Sequence, residues 1–173
     1  DFFNHLLCEQ PNGNFGKTIV RQLFFDSFYL LFLTRLAKSK DSQLAAISQK
    51  SLKEVTYHFR HSNQWVIRLG AGTKESHEKL QNAINELWVF TDEFFNMNDI
   101  DKIMVKQNIG VDRQVLQVEW DKEINKVLKT ATLKRPEKGH IISGGKEGIH
   151  SEHLGHLLSD MQYLQRAYPD AEW

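Results

Sequence analysis

From Leu23 to Leu36 the chain reads LFFDSFYLLFLTRL, apolar on almost every side of a helix. The run is too short to span a bilayer and is interrupted by Asp26 and Arg35. A helix that is apolar all round is buried all round, so 15–39 reads as a central bundle helix or a subunit interface. The Pro11-Asn12-Gly13 turn signal precedes it, with Asn12 or Asn14 as N-cap, and residues 1–14 read as a loop. Asp41 and Ser42 open a second long helix ending near Leu69, with Gly70 just beyond it. Its stripe is Leu44, Ile47, Leu52, Val55, Phe59, Val66 and Leu69, close to the 3.6-residue period. Thr73 caps a third helix carrying Leu80, Ile84, Leu87, Trp88, Thr91 and Phe94.

The stretch NMNDIDKIMVKQNIGVD (96–112) reads as irregular. A fourth helix over 112–131 follows, with Val115, Leu116, Trp120, Ile124 and Leu128 on its apolar face. Residues 132–149, with Pro136, Gly139, Gly144, Gly145 and Gly148, read as a flexible linker. Its glycines lack the spacing of a phosphate-binding loop, and no strand precedes them. A last helix runs from Ser151 to Tyr168 and stops at Pro169. No segment alternates like a strand. The expectation is an all-α bundle of five helices in one domain, 1–173.

Composition agrees with a folded domain: 173 residues, 40% apolar and 25% charged. Lys plus Arg and Asp plus Glu are both 22, which argues against a nucleic-acid binder needing a basic excess. The single cysteine, Cys8, allows no internal disulfide. It has no readable acid-base partner beyond His5. The chain starts at Asp1, with no segment resembling a signal peptide, and reads as a processed form or a fragment.

Two constellations carry candidate chemistry. In the first, Asp26 on one long helix is grouped with Glu54, Tyr57 and His58 on the next, each helix placing a polar group near an apolar face. Glu54 and His58 are i, i+4 neighbours at the edge of an apolar stripe. A di-iron carboxylate bundle takes a Glu from each of two helices and a Glu-x-x-His pair from each of two others. Here Tyr57 stands three residues after Glu54, and His58 is rotated a further ~100°. The alternatives are a residual metal site and a buried acid satisfied by a neighbouring cation or hydroxyl. In the second, HSEHLGH places His150, His153 and His156 at i, i+3, i+6 with Glu152 between them. Such a cluster can bind metal, but it is not an HExxH motif, and Ser151 as N-cap explains part of it.

EQPNGNF (9–15), TIVRQLFFDSFYLLFLTRL (18–36), the stretch 41–95 and GGKEGIHSEHLGHLLSDMQYLQRAYPDAEW (144–173) together resemble one family. It is the C-subunit family of the bacterial phenylacetyl-CoA epoxidases, phenylacetic acid degradation proteins. The resemblance covers essentially the whole chain and is least specific over 96–143. It implies a ferritin-like helical fold and a partner, the catalytic A subunit, which holds the di-iron site. It implies a complex that epoxidises the aromatic ring of phenylacetyl-CoA, with a flavin and iron–sulfur reductase drawing on NADPH. On that resemblance this chain is structural, has no cofactor of its own and sits in the cytoplasm, with no membrane or nucleic-acid partner. Glu54 matches the glutamate of a ligand pair, and Tyr57 falls where its histidine would be.

The family's members begin with roughly two more helices. Their absence would uncover the apolar faces of 15–39 and 41–69, so self-association is expected. Gly144, Gly145, Lys146, His150, Glu152 and His153 are candidates for a partner-facing or buried specific element. The other readings are a ferritin-like di-iron protein with its own oxidase or oxygenase activity, discriminated by the ligand set, and a helical adaptor outside this pathway, discriminated by failure to form the complex.

Overall fold

Three side-chain caps set where the long helices begin. The Asn14 carboxamide oxygen accepts from the Lys17 amide at 3.0 Å and starts α2 (Phe15–Leu36). Asp41 accepts from the amides of Gln43 and Leu44 at 2.9 and 3.0 Å and starts α3 (Ser42–Gly70). Thr73 accepts from Ser76 at 3.2 Å and starts α4 (Lys74–Leu87). The computed structural model describes residues 3–137 and 139–172. Asp1, Phe2, Lys138 and Trp173, the chain ends and one position of the expected linker, lie outside the described residues.

Seven α-helices and three 3-10 turns, with no strand, are found among the described residues. The all-α expectation holds, while several bounds differ. A one-turn helix, α1 (Leu6–Glu9), stands inside the opening loop. Gly70 is the last residue of α3 rather than the one after it. The third helix ends at Leu87 and continues as 3-10 turns over Trp88–Phe90 and Asp92–Phe95. The stretch read as irregular contains α5 (Asp99–Lys106). Its start is a reciprocal capping box, Asn98 to the Asp101 amide and Asp101 back to the Asn98 amide, each 2.9 Å. α6 (Leu116–Thr130) begins four residues later than expected, after a turn in which Asp112 accepts from the Gln114 amide. α7 (Glu152–Ala167) closes the chain.

The core lies where α2 meets α3, α4 and α6. Val20, Leu23 and Phe24 of α2 are fully enclosed with Val66, Leu80, Ile84, Leu116, Trp120 and Ile124. Trp120 is the largest of the enclosed side chains, and its indole N–H donates to the Phe24 carbonyl at 3.1 Å. That bond satisfies the one polar atom of the ring. Its ring meets those of Phe24, Trp88, Phe94 and Phe95 at centroid distances of 5.6–6.2 Å. α2 is the central helix its pattern predicts. α3 departs from its stripe: Val55 and Val66 are buried, but Leu44 and Ile47 face outward.

Within the expected linker, residues 142–149 are tied down by backbone hydrogen bonds. The Ile142 amide donates to the Val89 carbonyl at 2.9 Å, and the amides of Glu147 and Ile149 both return to the Gly144 carbonyl at 2.9 Å. The second half of the segment is a strap fastened to the bundle. Glycine is required where it lands: a Cβ on Gly145 would lie 2.0 Å from the Asn4 carbonyl oxygen, and Gly144 sits at φ 132°.

Candidate functional site

Asp26, on α2, is 2% exposed. One carboxylate oxygen accepts from Gln22 at 2.8 Å and the other from the Ser62 hydroxyl at 2.9 Å. Burial pushes its pKa up, and these two bonds with the neighbouring His58 and His61 only partly offset that. The partner of Asp26 across the helix pair is therefore Ser62, itself fully buried.

The other three members of the first constellation do not join it. The Glu54 side chain is 76% exposed and reaches only His58, with Nε2 and Oε1 4.0 Å apart. Tyr57 points outward, its ring stacked near that of His61 and under the Arg60 guanidinium. His58 is half-buried and lines, with Gln22, Tyr57 and His61, an open cleft of about 390 Å³. The expected buried cluster thus reduces to Asp26 alone. The reason is rotation along α3: Val55 and Ser62 occupy the inward face, which carries Glu54 and Tyr57 to the flank.

A di-iron centre needs converging carboxylates and imidazoles with free lone pairs. Between α2 and α3 one buried carboxylate is present, already accepting two hydrogen bonds. Among the described residues no group of three His, Cys, Asp or Glu side chains could hold a metal ion. The described residues between α2 and α3 do not supply that donor set.

The carboxylates that organise the molecule lie elsewhere. Glu93, in the second 3-10 turn, is 2% exposed. Its Oε1 accepts the amides of Gly144 and Gly145 at 2.9 and 2.8 Å, and its Oε2 accepts the Leu6 amide at 2.7 Å. Burial would raise its pKa. The His5 imidazole, with Nδ1 3.8 Å from Oε2, and those three amides outweigh burial and hold it below the ordinary value.

Glu9, at the end of α1, is the second. Its Oε2 accepts the Ser151 hydroxyl at 2.6 Å and the Ser151 amide at 2.8 Å. Its Oε1 meets His150 Nδ1 at 2.6 Å and Asn4 Nδ2 at 3.0 Å. Burial again opposes, and the bonds from Ser151, His150 and Asn4 lower its pKa. Asp101 is the third, its Oδ2 shared by Arg113 and Lys146. Against burial, the Lys146 bond, the Asn98 amide and the Arg113 charge hold its pKa low.

The C-terminal candidates resolve on this frame. Gly144, Gly145, Lys146 and His150 are engaged inside the chain by Glu93, Asp101 and Glu9. Glu152 is exposed and His153 half-buried. Ser151 precedes α7 but makes no side-chain cap, because its hydroxyl is committed to Glu9. Cys8 reaches the surface, and the crowding of chain around its thiol pushes the pKa up to about 11, the reverse of an activated nucleophile. Glu9, Glu93, Asp101 and Arg113 escape the sequence reading, since their partners lie up to 142 residues away. The available signals were Glu93 set beside the Phe94-Phe95 pair and the Asn98-to-Asp101 cap spacing.

No helix among the described residues is long and apolar enough to cross a membrane. A family model described as phenylacetic acid catabolic protein matches residues 1–173. The chain is 48% identical over 172 residues to the C subunit of the 1,2-phenylacetyl-CoA epoxidase of Escherichia coli (strain K12). That alignment takes in 99% of this chain and 69% of the relative. The all-helical bundle is the fold expected of a ferritin-like chain, and with these matches the protein belongs to the phenylacetic acid catabolic protein family.

Proposed function

We propose that this chain is a non-catalytic structural subunit of a multicomponent oxygenase that epoxidises the aromatic ring of phenylacetyl-CoA, pairing with the di-iron catalytic A subunit. The observation that carries the reading is how its buried carboxylates are used. Asp26 holds Ser62 and Gln22, Glu93 holds three backbone amides, and Glu9 holds the start of α7. Each is consumed in fastening one segment to another, and none is left converging on another. The 48% identity to the C subunit of an epoxidase supports the assignment to the complex.

On this reading the chain holds no cofactor of its own. The di-iron centre belongs to the catalytic subunit, and the flavin, the iron–sulfur cluster and the NADPH site belong to the reductase. The complex is cytoplasmic, and the outward apolar residues of α3 favour self-association of the isolated chain as well.

The test is reconstitution. The chain purified alone from iron-supplied cells should carry substoichiometric iron and turn over no phenylacetyl-CoA, while binding the catalytic subunit and raising its turnover. Stoichiometric iron with turnover by the isolated chain overturns the reading.

A further inference from the structure

A cavity of about 370 Å³ opens between the end of α2, the start of α3, α5, the turn leading to α6 and the strap. That volume falls among small-molecule sites, which run from ~300 to ~1,000 Å³. Phe32, Leu36, Met104 and Val111 belong to its apolar walls, and Leu44 stands at its margin, 37% exposed. Its charged groups are Asp101, Arg113 and Lys146.

Two cations therefore share one acid. Among the described residues, neither Arg113 nor Lys146 has an acidic partner besides Asp101. The cavity carries one surplus positive charge, and the Arg113 side chain is only 7% exposed. A charge largely withdrawn from water against apolar walls is costly until a counter-charge meets it. The means to meet one are present. A guanidinium has five N–H donors and an ammonium three, and each gives one hydrogen bond to Asp101. No unpartnered nitrogen of either side chain is fully enclosed, so the spare donors can be reached from outside. A carboxylate supplies the single negative charge that is missing, where a phosphate monoester supplies nearly two. Its planar oxygens also match a guanidinium. The walls select what is attached to it, since hydrocarbon gains by burial against Phe32, Leu36 and Met104.

We propose that this cavity binds a small monocarboxylic acid with an apolar body, its carboxylate on Arg113 and Lys146. The site stands independently of the subunit reading, and its test uses the chain alone. Because Lys146 sits in the strap, a bound acid would fasten the strap to the turn before α6.

The experiment titrates the purified chain with octanoate, octanol and acetate while following backbone amide resonances. Octanoate should saturate one site and shift the amides of Gly110–Arg113 and Gly145–Lys146, leaving those of α4 in place. Octanol lacks the charge and acetate lacks the body, and each should bind at least about tenfold more weakly. Two variants locate the site. Lys146→Met removes one cation, and Leu44→Trp crowds the cavity from its exposed margin. Both should still unfold cooperatively, and each should weaken octanoate about tenfold.

Octanol binding as well as octanoate makes the cavity merely apolar, and acetate binding as well makes it a bare anion site. Either result overturns the proposal, and both are read on the wild-type chain whatever the variants do. Absence of saturable octanoate shifts, or octanoate binding that neither variant weakens, overturns it as well.

Discussion

The bundle formed by α2, α4 and α6 and the strap that ends in α7 are held by different physics. In the bundle, Phe24, Leu80, Ile84, Trp120 and Ile124 are sealed from water, and the Trp120 indole N–H is satisfied by the Phe24 carbonyl. In the strap, Gly144, Gly145, Lys146, His150 and Ser151 are held by carboxylates, and almost nothing apolar is buried. Packing energy is spread over many contacts and does not titrate. A carboxylate holding several amides concentrates its effect in one group and depends on that group's charge. The two regions should therefore fail separately.

The largest effect is expected in the bundle. Trp120→Ala removes a fully enclosed indole and its hydrogen bond to the Phe24 carbonyl, which still accepts from the Ser27 hydroxyl. It should cost about 3–5 kcal/mol of global stability, read by denaturant unfolding. A cost under about 1 kcal/mol would mean that the bundle repacks and is not the stability-determining region.

Glu93→Gln should act on the strap alone. The amide keeps the size of the side chain but turns an N–H₂ toward groups that all donate. Exchange of the Gly144–Ile149 amides should accelerate, corresponding to about 2 kcal/mol of lost local stability, while amides of α2 and α6 keep their protection. Equal loss in both regions would show that strap and bundle form one cooperative unit.

Acid should make the same separation with smaller effect. Glu9, Glu93 and Asp101 all have folded pKa values below the ordinary ones. The folded chain then binds protons less readily at these groups than the unfolded chain does. Their stabilisation is complete above about pH 4.3 and drains away as pH falls through the lowered values. Proteolysis within 132–149 should therefore begin, on acidification, before the far-ultraviolet helical signal falls. Glu93→Gln should flatten that dependence, and simultaneous loss of both signals would argue against it.

The same contrast explains what could be read without a structure. Asn14, Asp41 and Thr73 cap helices through partners two or three residues away, so the sequence displays the whole interaction. The run 23–36 shows in its composition the burial of its first half, while Tyr29, Leu30, Leu31 and Phe32 stay half-exposed, and Trp120 shows its burial in its period. Glu9 shows nothing, and Glu93 shows only its place beside the Phe94-Phe95 pair, because their partners are 142 and as many as 87 residues distant. The strap reads as a linker for the same reason: glycines that admit close approach look like glycines that admit freedom. The Asp26–Glu54–Tyr57–His58 grouping fails on helix rotation. A stripe drawn through Leu44, Ile47 and Val55 is some tens of degrees away from the observed inward line of Val55, Ser62 and Val66. α5 is hidden because a short helix depends on its cap, and the acid closing this box is Asp101 rather than the usual glutamate or glutamine.

Asp26 gives the smallest effect and the opposite sign. Its folded pKa is raised, so the native state carries the cost of a buried charge at neutral pH and is relieved as pH falls through the raised value. Asp26→Asn removes that charge and keeps an oxygen for Ser62. At pH 7 it should shift stability by about 1 kcal/mol or less, and it should abolish the gain seen on mild acidification. Glu54→Gln, at a side chain 76% exposed, should change neither, so two acids that spacing pairs separate cleanly. The comparison is read from melting temperatures of both variants and the wild type between neutral pH and about pH 5. A loss of several kcal/mol in Asp26→Asn alone would show that the charge itself holds α2 to α3 through Ser62 and Gln22. Asp26 would then belong with Glu9 and Glu93 as a fastening carboxylate, placed inside the bundle instead of at its strap.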